Sequence, residues 1–219
     1  MVFKLFKNLK NSEKGVTLVE IVVAVFIITM FSMMVIVGFP KIQKQYAFSR
    51  VTHKLAQDLR MVEDLGLSGV QINNGAMVPE PIETIKGYGI YFDLTNPTQY
   101  IIYADIYTEV VSRKYEPTSS PINCSDVRIA NPQADCVIAV GKTNSENPDL
   151  KIKGLTNING SFTSINFRPP NPTIDIDELS IDNLPPNNSR VGIVLEATFD
   201  GNIATRTIWV NSAGLINIE

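Results

Sequence analysis

An uninterrupted apolar run over residues 16–39 dominates the hydrophobic pattern of the chain. It contains one charged residue, Glu20, and no proline. At ~1.5 Å per residue a helix of this length spans ~36 Å, which exceeds the ~30 Å thickness of a bilayer hydrocarbon core. Because the run is apolar on all sides and not along one stripe, it predicts a membrane-spanning helix and not the core helix of a soluble protein.

After the apolar run the pattern becomes amphipathic over residues 40–69. Apolar side chains recur every three or four residues, while Lys, Arg, Gln and Asp fill the other positions. We therefore expect one long helix over about residues 16–66, kinked rather than ended at Pro40 and stopped by Gly66 or Gly69. The predicted buried face consists of Val51, Leu55, Leu59, Val62 and Leu65.

From residue 70 to residue 219 the apolar positions recur with a period of two, which is typical of β-strands. Asp200-Gly201 separates two such runs and indicates a tight hairpin. The Asn-, Pro- and Ser-rich segment 168–189 is predicted to be a long loop inserted at a sheet edge. The fold class is thus α+β, with the long helix packed on an antiparallel β-sheet. Predicted strands cover residues 87–94, 99–111, 136–140, 150–154, 161–167, 190–199, 204–210 and 215–218.

The composition excludes several classes of function. A hydrophobic fraction of 44% with a net charge of −3 argues against a disordered chain. The single histidine, His53, leaves no basis for a metal or catalytic site built on imidazole, and we predict no catalytic residue, metal or cofactor. The mildly acidic balance argues against nucleic acid as a partner.

The charges are distributed unevenly along the chain. Residues 1–15 hold four lysines against Glu13, a net charge of +3, whereas the remainder holds 15 basic and 21 acidic residues. Basic flanks of membrane helices tend to stay in the cytoplasm. We expect a cytoplasmic leader over residues 1–15, a transmembrane helix over 16–39 and an exported domain beyond residue 40.

Two other interpretations of the apolar run are a cleaved secretory signal and an ordinary uncleaved anchor. A cleaved secretory signal has a shorter apolar region, usually ~7–15 residues, followed by small residues at the cut. Here the run is longer and ends in Gly38-Phe39-Pro40. An ordinary uncleaved anchor accounts for the run but leaves the acidic residue near its start unexplained.

Glu20 is the residue that calls for an explanation, because a carboxylate inside a membrane helix is unfavourable by up to ~2.5–3.5 kcal/mol. Cleavage after Gly15 would give Val16 a cationic amine at a similar depth. An amine from a neighbouring copy could then neutralise Glu20. Such a head-to-tail contact does not close on itself and therefore generates a helical filament.

The stretch Lys14-Gly15-Val16-Thr17-Leu18-Val19-Glu20, followed by the apolar run, resembles the class III signal of type IV pilins and pseudopilins. The resemblance implies a type IV pilin-like fold, cleavage by a prepilin peptidase between Gly15 and Val16, and N-methylation of Val16. It also implies that Glu20 is the carboxylate that supports assembly. The closing sequence ATRTIWVNSAGLINIE is similar to that of the GspH/FimT-type minor pseudopilins.

Three further groups of residues are candidate sites. Cys124 and Cys136 can form one disulfide in an oxidising compartment, and two unpaired thiols are the alternative. The acidic run that includes Asp175 and Asp177 is read as a solvated loop rather than a calcium site. Arg113, Lys114 and Tyr115 make a small basic and aromatic spot of the kind that can stack nucleic-acid bases.

Taken together, these features predict a non-catalytic structural protein, the precursor of a minor pilin or pseudopilin. Its partners are the prepilin peptidase, the membrane and other subunits of a type IV pilus, type II secretion or competence filament. It is expected in the inner or cytoplasmic membrane, with its globular domain outside. The alternatives are a major subunit of such a filament and a single-pass anchored binding protein that joins no filament.

Overall fold

The computed structural model describes residues 15–69, 85–106, 115, 122–124, 135–145, 149–156, 161–168, 173–176, 190–199, 201–211 and 213–219. The chain divides into two compact units, Met1–Gln43 and Lys44–Glu219. One helix, α1, covers Leu18–Ser68. In chain order the strands are β1 (Gly87–Asp93), β2 (Gln99–Asp105), β3 (Ile122–Asn123), β4 (Cys136–Lys142), β5 (Lys151–Thr156), β6 (Phe162–Arg168), β7 (Thr173–Ile176), β8 (Arg190–Phe199), β9 (Asn202–Asn211) and β10 (Ile216–Ile218).

The helix α1 continues through Pro40 and ends before Gly69, one of the two predicted stops. Gly69 has a φ of 58°, a left-handed conformation that a glycine adopts at little cost and that commonly ends a helix. Gly66, the other predicted stop, lies inside the helix. A Cβ at Gly66 would lie 2.6 Å from the Phe167 carbonyl oxygen, so its missing side chain permits a close approach to β6.

The predicted apolar face of the second half of α1 is confirmed. Leu55, Leu59 and Val62 are fully buried, Val51 is buried and Leu65 is half-buried. Phe48 extends this face towards the N-terminus, and its ring packs edge-on against Phe199 of β8 at 5.9 Å. The helix therefore contributes one stripe to the core of the second unit.

The strands form two sheets rather than the single sheet expected. The first has the order β3-β4-β2-β1-β6-β7, and its pairs are antiparallel except for β3 with β4. The second is antiparallel with the order β10-β9-β8-β5. Its central hairpin pairs Phe199 with Asn202 across the predicted turn, where Gly201 has a φ of 82°.

A single large core lies between α1 and the inward faces of both sheets. Alternate residues of β1 and β2 point into it, as their period of two requires. A second, smaller cluster joins Tyr103, Tyr115 and Val137, which share the opposite side of the first sheet. The overall arrangement is α+β and pilin-like, with one long N-terminal apolar helix and antiparallel sheets.

The predicted loop 168–189 is wrong in part, because it contains β7. Thr173–Ile176 pairs with β6 at the edge of the first sheet, and Ile174 and Ile176 are buried. The alternation Thr-Ile-Asp-Ile carried this signal, but the surrounding prolines and acidic residues concealed it. The strand predicted over residues 99–111 is confirmed up to Asp105, where β2 ends, and residues 107–111 lie outside the described residues.

Candidate processing and assembly site

The chain enters α1 through a capped, solvent-exposed start. Residues 15–17 lie outside regular secondary structure, and the helix begins at Leu18. The Thr17 hydroxyl accepts a hydrogen bond from the Glu20 backbone N–H at 3.2 Å, and the Thr17 carbonyl accepts one from Ile21 N–H at 3.3 Å. Thr17 is therefore the N-cap, which satisfies a donor that the first helical turn leaves unpaired.

The peptide bond between Gly15 and Val16 is accessible in the geometry described. Both residues are exposed, and a Cβ placed on Gly15 would meet nothing within 4 Å. A protease needs an irregular, exposed segment that it can draw into an extended form. The bond lies two residues before the helix starts, so cleavage there leaves α1 whole.

Glu20 occupies the first turn of α1, where a negative charge is favoured by the positive end of the helix dipole. Its side chain is exposed, and within the described part of the chain it has no cationic partner. An amine at Val16 would add positive charge at the same end of the helix.

The helix that follows is apolar and uncovered throughout the first unit. Every described side chain from residue 16 to residue 43 is exposed. The segment is long and apolar enough to span a membrane, and none of its apolar window is buried. Its two hydroxyl side chains bond to the helix itself, Thr29 to the Phe26 carbonyl at 2.9 Å and Ser32 to the Ile28 carbonyl at 2.8 Å. These bonds satisfy the hydroxyls without water, as a lipid environment requires.

Residues 10–36, which contain this site, match the family model of the prokaryotic N-terminal methylation motif. The match supports the type IV pilin and pseudopilin class for this chain. It confirms the resemblance read from the start of the apolar run, and nothing in it bears on the GspH/FimT subgroup. Comparisons with curated proteins and with solved structures give no significant match.

The methylation motif places Gly15, Val16 and Glu20 in one segment, and the structure places them at one helix end. Cleavage between Gly15 and Val16, methylation of Val16 and the assembly role of Glu20 remain predictions. Sequence reasoning missed the role of Thr17 as the helix cap. The spacing Thr-x-x-Glu, typical of a capping box, was the signal available for it.

The second unit contains the disulfide expected in an exported domain. Cys124 and Cys136 are bonded, and both are buried. Cys136 is the first residue of β4, and Cys124 directly follows β3, which pairs with β4 in parallel. The bridge therefore fastens a two-residue edge strand to the first sheet.

Of the other candidate residues, those that the structure describes do not gather into a site. His53 is exposed on α1. Tyr115 is 4% exposed, with its ring 5.0 Å from the ring of Tyr91, so it cannot stack on bases from solvent. Its two basic neighbours, residues 113 and 114, lie outside the described residues, as does the acidic run apart from Asp175. Asp175 faces Arg168, whose Nε lies 3.8 Å from its carboxylate.

Sequence reasoning missed two buried charge clusters on the sheets. Asp105 accepts hydrogen bonds from Arg168 at 2.6 Å and Asn166 at 3.1 Å. Burial raises the pKa of the Asp105 carboxyl, although Arg168 opposes this shift. On the second sheet, Lys153 at 2.6 Å and Lys151 at 3.4 Å hold the pKa of Glu196 below its usual range. The period-two pattern of a strand does not indicate whether a polar residue is buried, so it gave no signal for these carboxylates.

Proposed function

We propose that this protein is the precursor of a minor subunit of a type IV pilin-like filament, which a prepilin peptidase cleaves between Gly15 and Val16. The observation that carries the proposal is the exposed Gly15–Val16 bond beside Glu20, which has no cationic partner among the described residues, at the start of a helix whose first half is apolar on every side. The role is structural, and the proposal includes no catalytic activity.

Assembly follows from the charges at the helix start. In the lipid-embedded subunit Glu20 is costly, because none of the described residues supplies a cation that neutralises it. The new amine of Val16 on an incoming copy supplies that cation. Each subunit offers one carboxylate and one amine, so the contact repeats head to tail along a filament.

The proposed location is the inner or cytoplasmic membrane with the second unit exported. The leader lysines support a cytoplasmic N-terminus. The count of cations alone does not decide the orientation, because Lys41, Lys44, Arg50 and Lys54 follow the span. The Cys124–Cys136 bridge adds independent support, since disulfides persist in oxidising, exported compartments.

The assignment to a minor rather than a major subunit rests on the end of the chain. There β9 is followed by a tight turn and β10, in which the Asn211 carboxamide accepts hydrogen bonds from Ala213 N–H and Leu215 N–H. This strand, turn and strand agree with the closing motif of the GspH/FimT resemblance. The abundance of the protein in sheared filaments distinguishes the two roles, because a major subunit dominates such a preparation and a minor subunit does not.

The test is to determine the N-terminus of the mature protein by sequencing and intact mass. The chain is expressed with and without a prepilin peptidase, alongside Gly15→Val and Glu20→Ala. We expect wild type and Glu20→Ala to begin at Val16 only when the peptidase is present, and Gly15→Val to keep its leader. Glu20→Ala should then be absent from filaments, while Thr29→Ala, a polar change within the same helix, should enter them. Mature protein that retains residues 1–15 would overturn the proposal.

A further inference from the structure

The part of α1 that directly follows the apolar run carries positive charge only. From residue 21 to residue 57 no acidic residue occurs, and the next carboxylate is that of Asp58. The cations in this stretch are Lys41, Lys44, Arg50 and Lys54. The side chain of Lys44 is half-buried, and those of the other three are exposed.

Lys41 and Lys44 lie at the depth of lipid headgroups if residues 16–39 span the bilayer. A helix rises ~1.5 Å per residue, so they follow Phe39 by ~3 Å and ~8 Å. The headgroup layer on each side of the hydrocarbon core is about 5–8 Å thick. Tyr46, 69% exposed, adds an aromatic side chain of the kind enriched at this interface.

These two lysines differ in their partners from three basic residues of the sheets, which are paired with carboxylates. Lys151 and Lys153 are paired with Glu196, and Arg168 is paired with Asp105. Within the described part of the chain, Lys41 and Lys44 contact no carboxylate. Being three residues apart on a helix, they share one face and can act together.

We propose that Lys41 and Lys44 bind the phosphates of anionic phospholipids where α1 leaves the membrane. Charge complementarity selects this occupant, because two unpaired ammonium groups at headgroup depth meet phosphate before any protein partner. The contact concerns the membrane-embedded subunit and does not depend on cleavage or on filament formation. Its consequence is that extraction of the subunit from the bilayer must break these phosphate contacts.

The experiment titrates the full chain in neutral detergent micelles with phosphatidylglycerol or phosphatidylcholine and counts bound lipids by native mass spectrometry. We expect wild type to bind phosphatidylglycerol preferentially. Lys41→Gln with Lys44→Gln should lower that affinity roughly 30-fold, which corresponds to about fivefold for each lysine. Lys41→Arg with Lys44→Arg should retain it. Lys142→Gln with Lys151→Gln, which removes the same charge from strands β4 and β5, should leave it unchanged.

Several results would overturn the proposal. These are equal binding of both lipids by wild type, equal phosphatidylglycerol affinity in the Gln pair and wild type, or a similar loss in the control pair. Displacement of the lipid by millimolar inorganic phosphate would assign a site for free anions instead. Binding of an oligoglutamate peptide in preference to phosphatidylglycerol would assign an acidic protein segment. The outcome is independent of the N-terminal sequence, so it is distinguishable from failure of the proposed cleavage.

Discussion

The two units of this chain place the same kinds of side chain in opposite surroundings. In the first unit Ile27 and Ile28 are 47% and 63% exposed, whereas in the second Leu55 and Leu59 of the same helix are fully buried. A single helix thus passes from a segment whose described side chains are exposed to one that lies in a core. Apolar side chains exposed in such number must be covered from outside, by lipid or by other subunits.

The core that stabilises the chain and the candidate processing site lie in different units. The core of the second unit buries aromatic and aliphatic side chains of both sheets against α1. None of the described residues of the first unit belongs to that core, and the candidate processing site lies at the start of α1. Substitutions in the first unit should therefore change processing and assembly, while those in the second should change unfolding.

The sharpest test of this separation is a pair of alanine substitutions in α1, one in each unit. Leu59→Ala should lower the free energy of unfolding by about 3–5 kcal/mol, because it leaves a cavity in a closed core. Ile27→Ala should leave it unchanged. The measurement is urea unfolding of the full chain in detergent, followed by the fluorescence of Trp209, the single tryptophan, which lies in β9. An equal loss in both variants would show that the first unit shares the core.

The disulfide gives the next largest effect and confines it to the second unit. Its partners are 12 residues apart, and closing a loop of this size stabilises by about 3 kcal/mol on the chain-entropy estimate. Cys124→Ser with Cys136→Ser should reduce the urea midpoint of the Trp209 transition accordingly. Cleavage after Gly15, read from the mature N-terminus, should proceed as in wild type. A loss of cleavage would show that processing depends on the stability of the second unit.

Two glycines of α1 extend the comparison to backbone packing. A Cβ at Gly66 would lie 2.6 Å from both Phe167 Cβ and the Phe167 carbonyl oxygen, while a Cβ at Gly38 would meet nothing within 4 Å. Gly66→Ala should therefore destabilise by about 1–3 kcal/mol, since backbone must move to admit the methyl group. Gly38→Ala should have no effect on the unfolding of the second unit. Unchanged thermal melting of Gly66→Ala, monitored by circular dichroism, would contradict the close approach of α1 to β6.

The sequence was informative where one physical requirement dominates. Lipid immersion demands an apolar surface on all sides, so the span was evident, and the helix period identified Leu55 and Leu59 as core residues. The hairpin at Gly201 was also predictable, because its backbone conformation suits glycine. The start of the helix was predicted within two residues, from the motif that also defines the candidate processing site.

Tertiary context determined the features that the sequence did not reveal. The strand β7 is stabilised by pairing with β6 and by burial of Ile174, neither of which is visible in a segment rich in proline and acid. The division into two sheets depends on which strands pair over long distances. Burial of Asp105 beside Arg168 joins residues 63 positions apart, and no local pattern encodes such a pair.

The smallest expected effect concerns pH and compares two carboxylates within the second unit. The pKa of Glu196 is lowered by its two lysines, so its contribution to stability is present above the unfolded pKa, near 4.5, and is lost as the pH falls through the folded pKa. Burial raises the pKa of Asp105, so the folded state binds its proton more readily and this group favours folding at low pH. Glu196→Gln should lower the melting temperature at pH 7 by less than Gly66→Ala does, and the difference from wild type should vanish under acid conditions. If the loss of melting temperature in Glu196→Gln grew as the pH fell, the ionised carboxylate would not be the stabilising form. The role assigned to Lys151 and Lys153 would then be wrong.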